Sequence, residues 1–332
     1  MSKTTLFIAI VGVQGVIALF LLYRIFSKPD VFGTAISVAP MSKELLKENV
    51  QSRLKHYYEP APNSTIRDPD WSKLYHGEYR INGDSLREDQ EYSVDKDADV
   101  FRIIALGDSW TYGLFVDGDN IWPEFLERKL NDSERCNVYE KYEVINLGFP
   151  GYDIQYGVER FRLRGQKYDP DLVIWLLKDD DFLEMRDRTS EKEAELIQEM
   201  KASGEYDALV KEGVPYPQAE KMYKFSLELR DEVGTDTFLQ QQEEYFNEIF
   251  NYYDNKLVVM NLYIKDPKML SILSRKVKER EMAVLSEFSN VTKIPDASFI
   301  PDDYHPTAKG HELLAEELFN QLYENNIIPC EE

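Results

Sequence analysis

Cysteine, histidine and positive charge are all scarce in this chain of 332 residues, and each shortage excludes something. Two cysteines, Cys136 and Cys330, cannot build a disulfide scaffold or a zinc cluster; at most they form one bridge, in an oxidising compartment. Lysine and arginine number 39 against 61 acidic side chains, a formal charge of −22. So acidic a chain offers no basic face to displace counterions from phosphates, which argues against nucleic acid as a partner. Nor has it one to dock on anionic lipid by charge. Only four histidines exist, His56, His76, His305 and His311, so histidine-based chemistry has few candidates. What is present, 43% hydrophobic residues over a long chain, suffices for a large core and fits neither disorder nor a collagen-like repeat.

One stretch lacks charge altogether. Thr4 to Tyr23 reads TTLFIAIVGVQGVIALFLLY, twenty residues between Lys3 and Arg24. As a helix it would extend roughly 30 Å, the depth of a bilayer's hydrocarbon core. A soluble helix usually keeps a polar face, and this one offers only Gln14 and two glycines. A cleaved signal peptide normally has a shorter apolar region and a small-x-small site, whereas Leu22 is followed by Tyr23, Arg24, Ile25 and Phe26. Residues 1–23 are therefore expected to form an uncleaved, single-pass anchor, making the membrane a partner. Lys3 on one side and Arg24 and Lys28 on the other nearly balance the positive-inside rule. Glycosylation-type triplets at Asn63, Asn131 and Asn290 are compatible with an extracytoplasmic domain, which is the expected location.

Residues 24–97 are mixed and rich in Pro, Asp and Tyr, with PAPNSTIRDPDW suggesting irregular structure, and read as a juxtamembrane stalk and lead-in segment. From about residue 98 the character changes. FRIIAL, ended by Gly107, has the form of a buried strand, and EVINLG (143–148), DLVIWLL (171–177) and KLVVMNLYI (256–264) repeat it. Between them run helical patterns: Trp122, Phe125, Leu126 and Leu130 share one face, as do Leu314, Leu318 and Leu322 in a last helix from Ala308 to Tyr323. Apolar strands alternating with helices imply a parallel sheet covered on both faces. The expected fold class for residues 98–332 is α/β: a three-layer α/β/α arrangement with a parallel, flavodoxin-like sheet of about five strands. A polar, helix-favouring insertion spans about 183–254, and its stripe of Phe238, Tyr245, Phe246, Ile249, Phe250 and Tyr253 reads as core packing rather than a binding groove.

Two short motifs carry chemistry. Gly107-Asp108-Ser109 closes the first strand and opens a helix, which sets the Ser109 hydroxyl at the sheet's carboxyl edge beside helix-start amides. Alone, the motif reads better as a helix cap. Far downstream, Asp302-Asp303-Tyr304-His305-Pro306 precedes the last helix, and an aspartate three residues before a histidine can orient the imidazole from the same loop. His311 falls inside the amphipathic helix, and His56 and His76 have no acid at useful spacing.

With these blocks together the chain resembles the SGNH (GDSL-type) hydrolases. The matching stretches are GDSWTYG (107–113), NLGFPGYD (146–153), LLKDDDF (176–182) and DDYHPTAKG (302–310), in the family's order, from about residue 100 to the C-terminus. The resemblance implies Ser109 as nucleophile and, by its amide, one oxyanion donor. It implies Gly151 as a second donor, with Gly148 the fallback, and Asp302 with His305 as the remaining dyad, family spacing favouring Asp302 over Asp303.

One block departs from the family pattern. The third normally ends in Gly-x-Asn-Asp, and here Asp180 stands at the asparagine and Lys178 at the glycine. An ionised carboxylate cannot donate a hydrogen bond to an oxyanion, and losing one donor costs roughly 100- to 1000-fold in rate. Asp180 is protonated, or Lys178 or another group donates instead, or the enzyme is slow or dead. Asp179, Asp180 and Asp181 cannot all face one point, so no metal is expected, nor any cofactor. The implied activity is that of a membrane-anchored serine esterase cleaving a carboxylic ester, with an acylated glycan or lipid as substrate. The alternatives are an O-acyltransferase of the same fold and a catalytically impaired binding module.

Overall fold

The computed structural model describes residues 46–48, 51–67, 77–212, 214, 217–286, 288, 299–300 and 305–330. The proposed anchor, Thr4 to Tyr23, lies outside them, as do His76, Asn290 and Asp302 to Tyr304. Among the described residues, no helix is long and apolar enough to cross a membrane.

The described residues begin with four short strands, β1 (Leu46–Glu48), β2 (Tyr58–Pro60), β3 (Ser64–Arg67) and β4 (Glu78–Ile81), paired antiparallel as β1 with β2 and β3 with β4. Next come β5 (Val100–Leu106), the one-turn α1 (Ser109–Tyr112), α2 (Trp122–Asp132) and β6 (Lys141–Asn146). α3 (Ile154–Arg160) runs on through a π turn and a 3-10 turn to Tyr168 and leads to β7 (Leu172–Leu177). Five helices follow without a strand: α4 (Asp179–Leu183), α5 (Arg186–Ser203), α6 (Glu205–Lys211), α7 (Ala219–Val233) and α8 (Thr235–Asn247). α5 to α8 fall in the region, about 183–254, expected to be a helical insertion. The chain then returns to the sheet with β8 (Lys256–Asn261), α9 (Pro267–Glu279), β9 (Met282–Leu285) and finally α10 (Ala308–Glu324).

β5 to β9 form one parallel sheet in the order β6-β5-β7-β8-β9. Numbered within the sheet this is 2-1-3-4-5, the flavodoxin-like order, whose switch point lies between β5 and β7. The strands are mostly apolar because both faces are covered, and the buried charged exceptions Arg102 and Glu143 pair with each other on neighbouring strands. Side chains alternate between faces along each strand: Ile104, Leu106, Val173, Trp175, Leu257 and Val259 pack against α3, α8 and α9. Ile103, Ala105, Ile174, Leu176, Val258 and Met260 pack against α2 and α10 through Trp122, Leu126, Leu314 and Leu318. The aromatic stripe of the insertion belongs to the first of these cores, with Phe238, Phe246, Ile249 and Tyr253 buried and Tyr245 and Phe250 packed at its margin.

The lead-in region differs from the irregular structure that its composition suggests. Tyr57, Ile66, Tyr79 and Ile81 form a third apolar cluster with Tyr112, Leu114, Phe115, Phe149, Tyr152 and Tyr156, residues of the loops and short helices that follow β5 and β6. Ion pairs fasten it further: Glu59 meets Arg160 of α3 at 2.9 Å in a buried pair and also the partly exposed Arg164, and the exposed Arg53 meets the buried Glu159 at 2.9 Å. Cys136 and Cys330 are joined by a disulfide, tying the connection after α2 to the end of the chain.

Candidate active site

β5 delivers its last residue to the switch point, and the chain turns there into α1. Asp108 caps that helix, accepting from the Trp110 amide at 2.9 Å. The cap is therefore Asp108, and Ser109 is released for another task. Ser109 is fully buried, its Oγ 2.9 Å from Nε2 of His305, which is itself 1% exposed. The two residues lie 196 positions apart in the chain. His305 comes from the turn before α10: its carbonyl accepts from the Ile300 amide at 2.8 Å, and Thr307 caps the helix. Phe115 stands edge-on to the imidazole, ring centres 5.3 Å apart.

The second block holds the turn beside Ser109. Asn146, at the end of β6, donates to the Thr111 carbonyl at 3.0 Å and accepts from the Gly148 amide at 2.9 Å. Gly148 is thus committed to Asn146, which removes the fallback oxyanion donor. Its lack of a side chain is needed for close approach, since a Cβ would come within 2.5 Å of the Tyr112 amide nitrogen. Gly151 has φ +75°, a left-handed conformation that favours glycine, and its carbonyl accepts from Arg186 Nε at 3.0 Å. Asp153 then caps α3 and also accepts from the Arg186 amide at 2.7 Å; burial pushes its carboxyl up to about 6.

In the third block the acidic run divides. Asp179 turns away, accepting from the Lys265 amide at 3.2 Å, and Asp181 accepts from the Lys178 amide at 2.7 Å. The Lys178 ammonium bridges Asp108, at 2.8 Å, and Asp180, at 2.7 Å, within the protein interior. Carboxylate oxygens of Asp108, Asp180 and Asp181 come within 4.8 Å of one another, so acids from two elements do converge, and the cation among them is the lysine's own. Burial opposes the charge on Lys178, but Asp108, Asp180 and Asp181 outweigh it and hold the ammonium well above the usual lysine range. Burial raises Asp180 and Asp181, against the pull of Lys178. Because Asp108 Oδ2 also lies 3.3 Å from Ser109 Oγ, the ammonium is two hydrogen bonds from the hydroxyl.

Of the residues expected from sequence, Ser109 and His305 are brought into contact, and Asp180 is brought beside Asp108, the neighbour of Ser109. Gly151 lies in the turn after β6, and Asp302 and Asp303 fall outside the described residues. His311 is buried, and its Nδ1 accepts from the Trp122 amide at 3.3 Å. Burial lowers that imidazole to about 3, so it stays neutral as a structural group. Sequence reading missed the groups that brace the site from the lead-in region. Tyr79 accepts from the Phe115 amide at 2.7 Å, holding at φ +68° the residue that stands edge-on to His305. Arg87 donates to the carbonyls of Tyr112 and Gly113, the turn that ends α1. No local pattern marks either residue.

A model of the family described as GDSL-like Lipase/Acylhydrolase matches residues 103–318. The chain belongs to this GDSL-like family. Its members are acylhydrolases, so the Ser109–His305 contact lies in an ester-hydrolase framework. Similar solved structures include a lipase/acylhydrolase from Enterococcus faecalis, 15% identical, covering 68% of this chain and 96% of that one with a TM-score of 0.41. A catalytic mutant of an acetylxylan esterase from Geobacillus stearothermophilus is 14% identical, covering 69% and 96%, with a TM-score of 0.40. A family 3 carbohydrate esterase from Clostridium thermocellum is 14% identical, covering 68% and 96%, with a TM-score of 0.39. Comparison with curated proteins gives no match.

Proposed function

We propose that this GDSL-family chain is a membrane-anchored serine esterase whose domain stands on the extracytoplasmic side and removes acyl groups from a glycan or lipid. The observation that carries the catalytic reading is the buried 2.9 Å contact between Ser109 Oγ and His305 Nε2 at the switch point of the sheet. His305 takes the hydroxyl proton as Oγ attacks the acyl carbon, and Asp302 holds the imidazole. The amides of Ser109 and Gly151 donate to the tetrahedral oxyanion. The alcohol leaves with the proton from His305, and water, activated by the same imidazole, releases the acid and restores Ser109. The disulfide between Cys136 and Cys330 supports an oxidising compartment. Asn63, exposed, suits a glycosylated surface better than Asn131, whose amide donates to Tyr142 O and accepts from Tyr142 N.

Asp180 favours a second reading, a binding module that kept the fold after losing a donor. A fluorophosphonate decides between them, because it reacts only with an activated serine. Mass analysis of the full-length chain in detergent is expected to show one adduct, absent from Ser109→Ala. No adduct in a folded sample from neutral to mildly acidic pH would favour the binding module.

A further inference from the structure

We infer that Tyr58, outside the segment matched by the family, is a positioning residue for the peptide that binds the oxyanion. The inference rests on the proposed role of the Gly151 amide. The Tyr58 hydroxyl donates to the carbonyl oxygen of Pro150 at 2.9 Å. That oxygen and the Gly151 N–H are the two ends of one planar peptide group. A bond to the oxygen therefore sets the direction of the N–H through a rigid plane. Such a constraint matters most at a glycine, where a swing of the plane meets little steric resistance. The following peptide is held independently, by Arg186 Nε on the Gly151 carbonyl. Donation to the carbonyl also polarises the N–H at the other end of the peptide, strengthening it as a donor.

Tyr58 is itself held in place, which a positioning group requires. Its ring packs on Phe149, Tyr152 and Tyr156 at centroid distances of 5.8, 5.7 and 5.4 Å. Its carbonyl accepts from the Tyr152 hydroxyl at 2.6 Å. The next residue, Glu59, is locked by the buried pair with Arg160 in α3, the helix that follows the Gly151 turn. The lead-in region thus reaches the Gly151 peptide through the Tyr58 hydroxyl. An oxyanion donor acts in the transition state more than in the ground state, so loosening it lowers kcat and spares KM.

The test uses the full-length chain with 4-nitrophenyl acetate as substrate and compares Tyr58→Phe with Tyr142→Phe. Tyr142 makes the same kind of bond, hydroxyl to the Pro329 carbonyl at 2.8 Å, at the opposite end of the sheet. In Tyr58→Phe, kcat is expected to fall about tenfold, with KM within about twofold of wild type. Fluorophosphonate labelling of Ser109 slows in parallel, and the acid limb of the pH–rate profile stays in place. Tyr142→Phe keeps the wild-type kcat. Wild-type kcat in Tyr58→Phe, with wild-type hydrolysis and labelling intact, overturns the inference and leaves the esterase reading standing. Equal losses of kcat in both variants, tracking equal losses of Tm, also overturn it, since the hydroxyl would then matter only for stability. Wild-type chain that neither hydrolyses the ester nor takes the probe sinks the esterase reading itself, and the inference with it.

Discussion

The lead-in region before β5 and the sheet domain after it build the same site by different means. The sheet domain supplies the proposed reacting groups: Ser109 opens α1 just after β5, and the turn into α10 supplies His305. The lead-in region supplies hydrogen bonds to the backbone around them, with Tyr79 on Phe115, Arg87 on the turn after α1 and Tyr58 on Pro150. A parallel sheet presents its loops at one edge but cannot by itself fix their conformations, so the second layer of contacts comes from elsewhere in the chain.

The comparison is broken most severely within the sheet domain. Ser109→Ala and His305→Ala should each lower ester turnover by at least about 1000-fold, with Tm close to wild type, as expected for groups that act in the reaction. Retained turnover in either variant would place the reaction elsewhere. On the lead-in side, Glu59→Gln leaves Arg160 and Arg164 without their buried carboxylate partner and should destabilise the fold by about 3 kcal/mol. Denaturant unfolding measures this, and an unchanged midpoint would mean that the lead-in region contributes little to the domain's stability.

Smaller effects sharpen the contrast. Asp180→Asn restores an amide donor while Asp108 remains to pair Lys178, and should raise kcat by roughly tenfold. An unchanged kcat would remove this position from the oxyanion site. The smallest effect concerns pH. Burial raises Glu184 to about 8 and Glu127 to about 7, above their unfolded values, so between about pH 4.5 and 8 the folded chain binds more protons than the unfolded one. Their contribution to stability is therefore full below that window and declines as pH rises through it. Tm should fall by a few degrees from pH 5 to 8, and Glu184→Gln should flatten the upper part of the decline.

Four strands of the sheet were legible because each is a short, predominantly apolar run with few polar residues, the pattern a doubly covered strand favours. β9 was not: MAVL is four residues long within a charged stretch, and it becomes a strand by pairing with β8. The acidic run 179–181 was not expected to face one point, but the sequence did not show where each acid goes. Its members part because α4 begins there, turning Asp179 toward Lys265, Asp180 toward Lys178 and Asp181 back onto the Lys178 amide.

By itself the sequence determined the α/β architecture and singled out Ser109 and His305 as the candidate pair. Strand burial imposes a composition on contiguous residues, and a serine at a strand end and a histidine before a helix are both marked by local neighbours. Only the tertiary structure decided that Tyr58, Tyr79 and Arg87 brace the site, that Gly148 is committed to Asn146, and that Lys178 is the cation between Asp108 and Asp180. Each of those partnerships joins groups whose meeting depends on backbone turns or on contacts across many residues, and neither leaves a periodic trace along the chain.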